Sequence, residues 1–288
     1  MKILKLLARI VVALVALVIV AILTLWYVGR SKVDGRVQRR VPAFAAATDS
    51  SSLERGRHLA SISCAACHSS TMDVPLAAPD TAFIKSAMFA TLQPSNLTPG
   101  GVLASYSDGQ LARAIREGVN RDDHAMMIMP SQAFHTMSDR DLAALMGYLR
   151  TQPAVVKPTQ PRAIGPIAGI LLALGAFPTS LQPPVDSPIA DVPAGATAEY
   201  GGYLAPIFGC KECHGHNLRG IKPGDGPPPG PDIVAVAQQH PIEKFELALR
   251  HGVGTSGKQL SVEMPWAIFA RLTDTEVEAL YQYVKNLP

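Results

Sequence analysis

A chain of 288 residues with only four cysteines has room for two small domains and is excluded from the disulfide-dense secreted scaffolds. Its formal charge of +3 misleads, because residues 1–40 hold eight basic side chains and one acid. Residues 41–288 are left with 18 basic and 22 acidic side chains, a net of −4. Nothing in that balance suggests a nucleic-acid partner, which would need a clustered basic face on a folded domain, and it suits a neutral or basic protein partner better.

In chain order, Ile10 to Val28 is a run of nineteen uncharged residues, roughly 28 Å long as a helix at about 1.5 Å per residue, enough to span hydrocarbon. Lys2, Lys5 and Arg9 precede it and no small-x-small cleavage site follows closely, which predicts an uncleaved transmembrane signal anchor over residues 1–30. Arg30, Lys32, Arg36, Arg39 and Arg40 lie just beyond it and by charge alone would argue for the opposite topology. Residues 31–52 show no sustained apolar periodicity and are predicted as a flexible tether, a coil of about 25 to 30 Å r.m.s. reach.

Beyond the tether the sequence repeats itself. Met129 to Pro153 and Met264 to Pro288 align without a gap with eight identities in 25. Upstream, Leu111 to Val119 matches Phe245 to Val253, and Gly56 to His68 matches Gly201 to His214 with one extra residue in the second copy. The last segment of each copy opens on a capping-box pattern, Ser138-x-x-Asp141 and Thr273-x-x-Glu276, and continues with apolar residues at helical spacing. Tyr148 and Tyr283 are expected to pack on the opposite helix. The chain is therefore expected to be all-α, with helical domains at 53–153 and 197–288 and about three to five helices in each. Residues 154–196 are rich in proline and read as a linker. Within the linker, Ile164 to Phe177 is an apolar run too short to span, expected to pack across the interface between the domains, with a patch that touches membrane or a partner subunit as the alternative.

Each copy carries Cys-x-x-Cys-His: Cys64, Cys67 and His68 in the first, Cys210, Cys213 and His214 in the second. This is the attachment pattern of c-type haem, in which two thiols add across the vinyl groups and the adjacent imidazole meets the iron. A zinc ribbon would bring its two Cys pairs within about 20 residues of each other, whereas more than a hundred residues separate these. A thioredoxin-like site would need a strand and helix context that is missing. The second axial ligand is expected from Met129 and Met264, each followed by proline and aligned with one another, since His with Met is a recognised pairing of electron-carrying haems. Met126 and Met127 compete in the first copy but fall out of register. Prolines 75–79 and 227–231 sit where a backbone carbonyl could take the Nδ1 proton of the haem histidine. His58, His124, His135, His216, His240 and His251 do not recur at matching positions and are expected to be surface or packing residues.

With both haem motifs, Asn96-Leu97-Thr98-Pro99, the paired Met-Pro and the terminal helices, Leu53 to Pro288 resembles the class I cytochromes c, and more narrowly the membrane-attached cytochrome subunits of periplasmic dehydrogenases. The resemblance implies two tandem cytochrome c domains behind one transmembrane helix, two covalently bound haem c groups, and the ligand sets His68 with Met129 and His214 with Met264. It implies an electron carrier rather than an enzyme, single-pass in a bacterial cytoplasmic membrane with its haem domains on the periplasmic side. A dehydrogenase, a quinol-oxidising complex or a terminal oxidase would be its redox partner. Two motifs stand where many alcohol and sugar dehydrogenase subunits have three, so a free carrier and a permanent subunit remain alternatives. A dihaem peroxidase, which needs an open iron position, fits the symmetric Met-Pro pattern less well.

Overall fold

The computed structural model describes residues 1–222 and 229–288. Helix α1 (Lys2–Asp34) contains the whole apolar run and continues past it until Gly35 takes an extended conformation. From Lys2 to Thr24 the helix is bare, and from Leu25 onward it has neighbours.

The expected tether is corrected. Residues 36–48 lie as a strap against the first repeat, held by Val37 N–H to Asp123 O (2.6 Å) and Ala47 N–H to Ala143 O (2.9 Å). Ala46 N–H donates to the Asp108 carboxylate at 2.8 Å, and Phe44 packs into the core beneath the Arg116 guanidinium, 5.6 Å from its ring centre. The strap shows no periodicity of its own because its partners come from distant elements.

The first repeat runs α2 (Ser50–Leu59), a π-turn (Ala60–Cys64), α3 (Ala65–His68), β1 (Ile84–Lys85), β2 (Ala90–Leu92), α4 (Asp108–Glu117), α5 (Ser131–Phe134) and α6 (Asp139–Thr151). Next come β3 (Ala163–Ile164) and α7 (Pro166–Leu174). The second repeat runs α8 (Ala198–Ile207), α9 (Cys210–His214), α10 (Ile233–Gln239), α11 (Ile242–His251), α12 (Trp266–Phe269) and α13 (Asp274–Lys285). Short antiparallel pairings join β1 to β2 and β2 to β3, the only sheet among the described residues.

Equivalent devices hold both repeats. Helix α2 crosses α6 at Gly56, where a Cβ would lie 1.9 Å from Ala144 O, and α8 crosses α13 at Gly201, where it would lie 2.0 Å from Ala279 O. Only glycine permits these approaches, and Tyr148 and Tyr283 lie over them as expected. Arg116 donates to Met137 O and pairs with Asp139 at 2.7 Å. Its counterpart Arg250 donates to Leu272 O and pairs with Asp274, both at 2.6 Å. Each arginine ties the helix before the Met-Pro turn to the start of the terminal helix, a role that the sequence reading missed although both lie in the matched segments. Helix α13 has the full capping box, Thr273 and Glu276 serving each other's backbone N–H. In α6, Ser138 caps Asp141 N–H, while the Asp141 carboxylate turns to Arg55. The one-residue length difference is absorbed locally: the first copy keeps a continuous helix through the π-turn, whereas the second breaks at Gly209, φ +75°.

One core cluster passes through both repeats, from Leu59 and Leu145 to Leu204 and Leu280. Across this interface the contacts are paired. His58 on α2 meets the Glu276 carboxylate on α13 at 2.8 Å, and Tyr203 on α8 donates to Asp141 on α6 at 2.8 Å. His58 and Tyr203 are aligned positions, as are Asp141 and Glu276, so the two links are equivalent under the repeat. Arg55 bridges them, reaching Asp141 at 2.9 Å and Glu276 at 3.0 Å. Of the two expectations for His58, surface or packing, the second holds: it packs between the repeats.

The run Ile164 to Phe177 is also placed differently from the expectation. Instead of the interface between repeats, it packs on the end of α1, where Val33, Ala90, Leu92, Ile164, Ala168 and Leu172 form a second buried cluster.

Candidate haem-binding site

The helical turn that carries each Cys pair sets both thiols on one side of the chain with the histidine directly after them. Cys64 is buried, and Cys67, Cys210 and Cys213 are half-buried. Burial pushes the Cys64 and Cys210 thiols up to about 12 and raises Cys67 and Cys213 as well. Among the described residues no cluster of three or more His, Cys, Asp or Glu is arranged around a common metal position.

The histidines are oriented alike. His68 Nδ1 donates to Ser95 O and His214 Nδ1 donates to Pro231 O, each at 2.8 Å. A carbonyl can only accept, so Nδ1 carries the proton and Nε2 keeps the lone pair that a metal would take. Burial lowers the pKa of both imidazoles, which keeps them neutral and coordination-ready. Of the expected proline carbonyls, Pro231 serves the second repeat. In the first, Ser95 O serves instead of a carbonyl of prolines 75–79. Pro227 and Pro228 lie outside the described residues.

Met129 and Met264 occupy the same local turn. Met129 O accepts from Ser131 N–H at 2.8 Å and Met264 O from Trp266 N–H at 2.7 Å, and the following prolines have ψ of 59° and 52°. Both methionines pack against the core cluster that contains the Cys-bearing helices. Met127 packs instead with the cluster at the end of α1, which separates it from the competition that the sequence left open. The donor set of two thiols, one neutral imidazole with a fixed tautomer and one core thioether therefore fits a haem c in each repeat. A cleft of about 560 Å³ between the repeats, lined by Ser51, Arg55, Asp141, Asp191, Val192 and Tyr200, contains none of the cysteines, haem histidines or methionines of either donor set.

These features define a haem-carrying module, and residues 204–288 match the Cytochrome c family. The C-terminal repeat is a cytochrome c domain, and its span contains Cys210, Cys213, His214 and Met264. The chain is 27% identical over 169 residues to the fructose dehydrogenase cytochrome subunit of Gluconobacter japonicus, covering 57% of this chain and 34% of that protein. A nicotinate dehydrogenase subunit of Pseudomonas putida is 32% identical over 117 residues, covering 36% of this chain and 9% of that protein. The gluconate 2-dehydrogenase cytochrome c subunit of Pantoea cypripedii is 30% identical over 101 residues, 31% of this chain and 22% of that protein. The chain thus aligns with about a third or less of the length of each of these relatives.

Proposed function

We propose that this protein is a membrane-anchored dihaem electron carrier that takes electrons from a dehydrogenase on the outer side of a bacterial cytoplasmic membrane. One haem c is held by Cys64 and Cys67 with His68 and Met129 as axial ligands, the other by Cys210 and Cys213 with His214 and Met264. When bound, each haem supplies one-electron exchange at an iron whose potential is raised by thioether ligation. The observation that carries the reading is the duplicated imidazole, locked by a backbone carbonyl and placed directly after a Cys pair. The names of the relatives support a dehydrogenase as donor over a quinol-oxidising complex.

The packing of the two repeats favours their working together. The helix after each Met-Pro leans on the other repeat: α5 on α8, and α12 on the π-turn that ends in Cys64. Gln132 donates to Glu212 at 3.1 Å, and Arg271 donates to Ser61 O at 2.7 Å and Met72 O at 2.8 Å. The elements that carry the two donor sets are therefore tied to one another across the interface between the repeats.

A pyridine haemochrome assay on the purified full chain is expected to return two haems per polypeptide, and one or none overturns the dihaem reading. Met264→Ala should remove about half of the far-red band of thioether-ligated ferric haem with both haems retained, while Met127→Leu should leave that band intact. An unchanged band in the Met264 variant excludes it as ligand.

A further inference from the structure

Helix α7 has no polar side chain, yet only one side of it is covered. Ala168, Gly169 and Leu172 are buried against α1, whereas Ile167 and Leu174 are 45% and 65% exposed, with Ile170 and Leu171 half-buried between them. Ile167, Ile170, Leu171 and Leu174 fall at helical spacing, one apolar stripe that the described residues leave partly or largely open. The β1–β2 turn extends it: Met88 O accepts Ile167 N–H at 2.9 Å, and Met88 and Phe83 are 58% and 50% exposed.

The attachment to α1 fixes where this surface lies. Gly169 sits on Trp26, where a Cβ would meet the indole at 2.3 Å, and Gly29 sits on Gly169 O, where a Cβ would meet that oxygen at 1.7 Å. Trp26 Nε1 donates to Ile164 O, and Lys32 Nζ donates to the last carbonyls of α7, Leu172 O at 2.8 Å and Ala173 O at 3.0 Å. Helix α7 therefore runs beside α1 from Trp26 to Lys32, roughly 9 Å along the axis, starting inside the end of the uncharged run. Of this length the part from Trp26 to Val28, roughly 3 Å, lies within the uncharged run and the rest lies level with Arg30 and Lys32, which places α7 at the boundary between acyl chains and headgroups. Tyr27 and Val28 on α1 are exposed at the same level, 74% and 41%, so the stripe is continuous with the lipid-facing surface of the anchor. Exposed Lys85, next to Phe83 and Met88 in the chain, and Lys32 place cations where anionic headgroups would lie.

We propose that α7 and the β1–β2 turn form a foot embedded in the outer headgroup–acyl boundary beside α1, holding the first repeat in one fixed orientation on the bilayer. The inference rests on the reading of α1 as a membrane anchor. Lipid is favoured over a second copy of this chain because any bilayer that receives α1 as far as Tyr27 brings the stripe into the same layer.

The test uses the full haem-loaded chain in phosphatidylethanolamine/phosphatidylglycerol nanodiscs carrying a phosphatidylcholine with a diazirine close to the acyl ester. After photolysis, mass spectrometry is expected to find acyl adducts on peptides containing Met88 and Ile167 to Leu174, several-fold above those at Val262, an exposed apolar residue of the second repeat. An Ile167→Glu/Leu174→Glu variant should lose the adducts at Met88 while α1 is still labelled and haem content is unchanged. Adducts on α1 with none on α7 overturn the foot and leave the anchor standing, whereas no adducts on α1 overturn the anchor itself. Retained Met88 labelling in the double variant, or α7-to-α7 links between copies under a protein cross-linker, also refutes the lipid-embedded foot.

Discussion

Replacing Glu276 by Gln tests the interface between the repeats. The carboxylate is 3% exposed and accepts from His58 at 2.8 Å, from Arg55 at 3.0 Å and from Thr273 N–H at 3.0 Å. Gln keeps the shape and one acceptor, but turns an NH2 toward Arg55 or His58. Removing one partner of a buried ion pair costs about 3 to 5 kcal/mol where the other charge is stranded. Arg55 retains Asp141 and is 26% exposed, so the expected loss falls to about 2 to 3 kcal/mol. Burial alone would raise the Glu276 carboxyl, but the hydrogen bond and charge of His58, the Thr273 backbone and Arg55 outweigh it and hold the carboxyl below its ordinary 4.5. A depressed carboxyl contributes stability above its unfolded value and loses it as pH falls through the folded one. Guanidinium unfolding at pH 7 should therefore show the full gap between wild type and variant. The gap should close as pH falls below about 4. A double cycle with His58→Gln should give a coupling of about 1 kcal/mol. A variant within about 0.5 kcal/mol of wild type at pH 7, or a gap unchanged in acid, would refute this account of the interface.

Two further outcomes follow from the placement of the strap and the foot. A chain beginning at Ser51 should unfold more easily than one beginning at Arg36, by on the order of 3 kcal/mol, because it lacks the strap's hydrogen bonds and the half-buried Phe44 ring; calorimetry of the two truncated forms checks this, and equal midpoints would restore the flexible tether. Gly29→Val should split α7 from α1, since its Cβ would overlap Gly169 O; limited proteolysis should then cut within residues 164–177 with haem content unchanged, and continued resistance there would refute the close helix contact.

What the sequence alone determined is what chemistry and local periodicity encode. Two Cys-x-x-Cys-His motifs, two aligned Met-Pro turns and two capped terminal helices were legible because each needs particular residues at particular spacings. The duplication then doubled every signal. Arg116 and Arg250 were visible in the same alignment, but their role was not, since it depends on carbonyls 21 and 22 residues further along.

Tertiary structure decided the rest. The proton acceptor of His68 is Ser95 rather than an earlier proline, because a loop's carbonyls are aimed by folding and not by composition. His58 does not recur as histidine, so comparing the repeats hid it, yet its counterpart Tyr203 makes the equivalent link to the opposite terminal helix. The strap 36–48 and the run 164–177 gave weak local signals for the same physical reason. Neither is stabilised by its own periodicity, and each becomes ordered only by bonding to elements that are distant in the chain, the first to α4 and α6, the second to the last turns of α1.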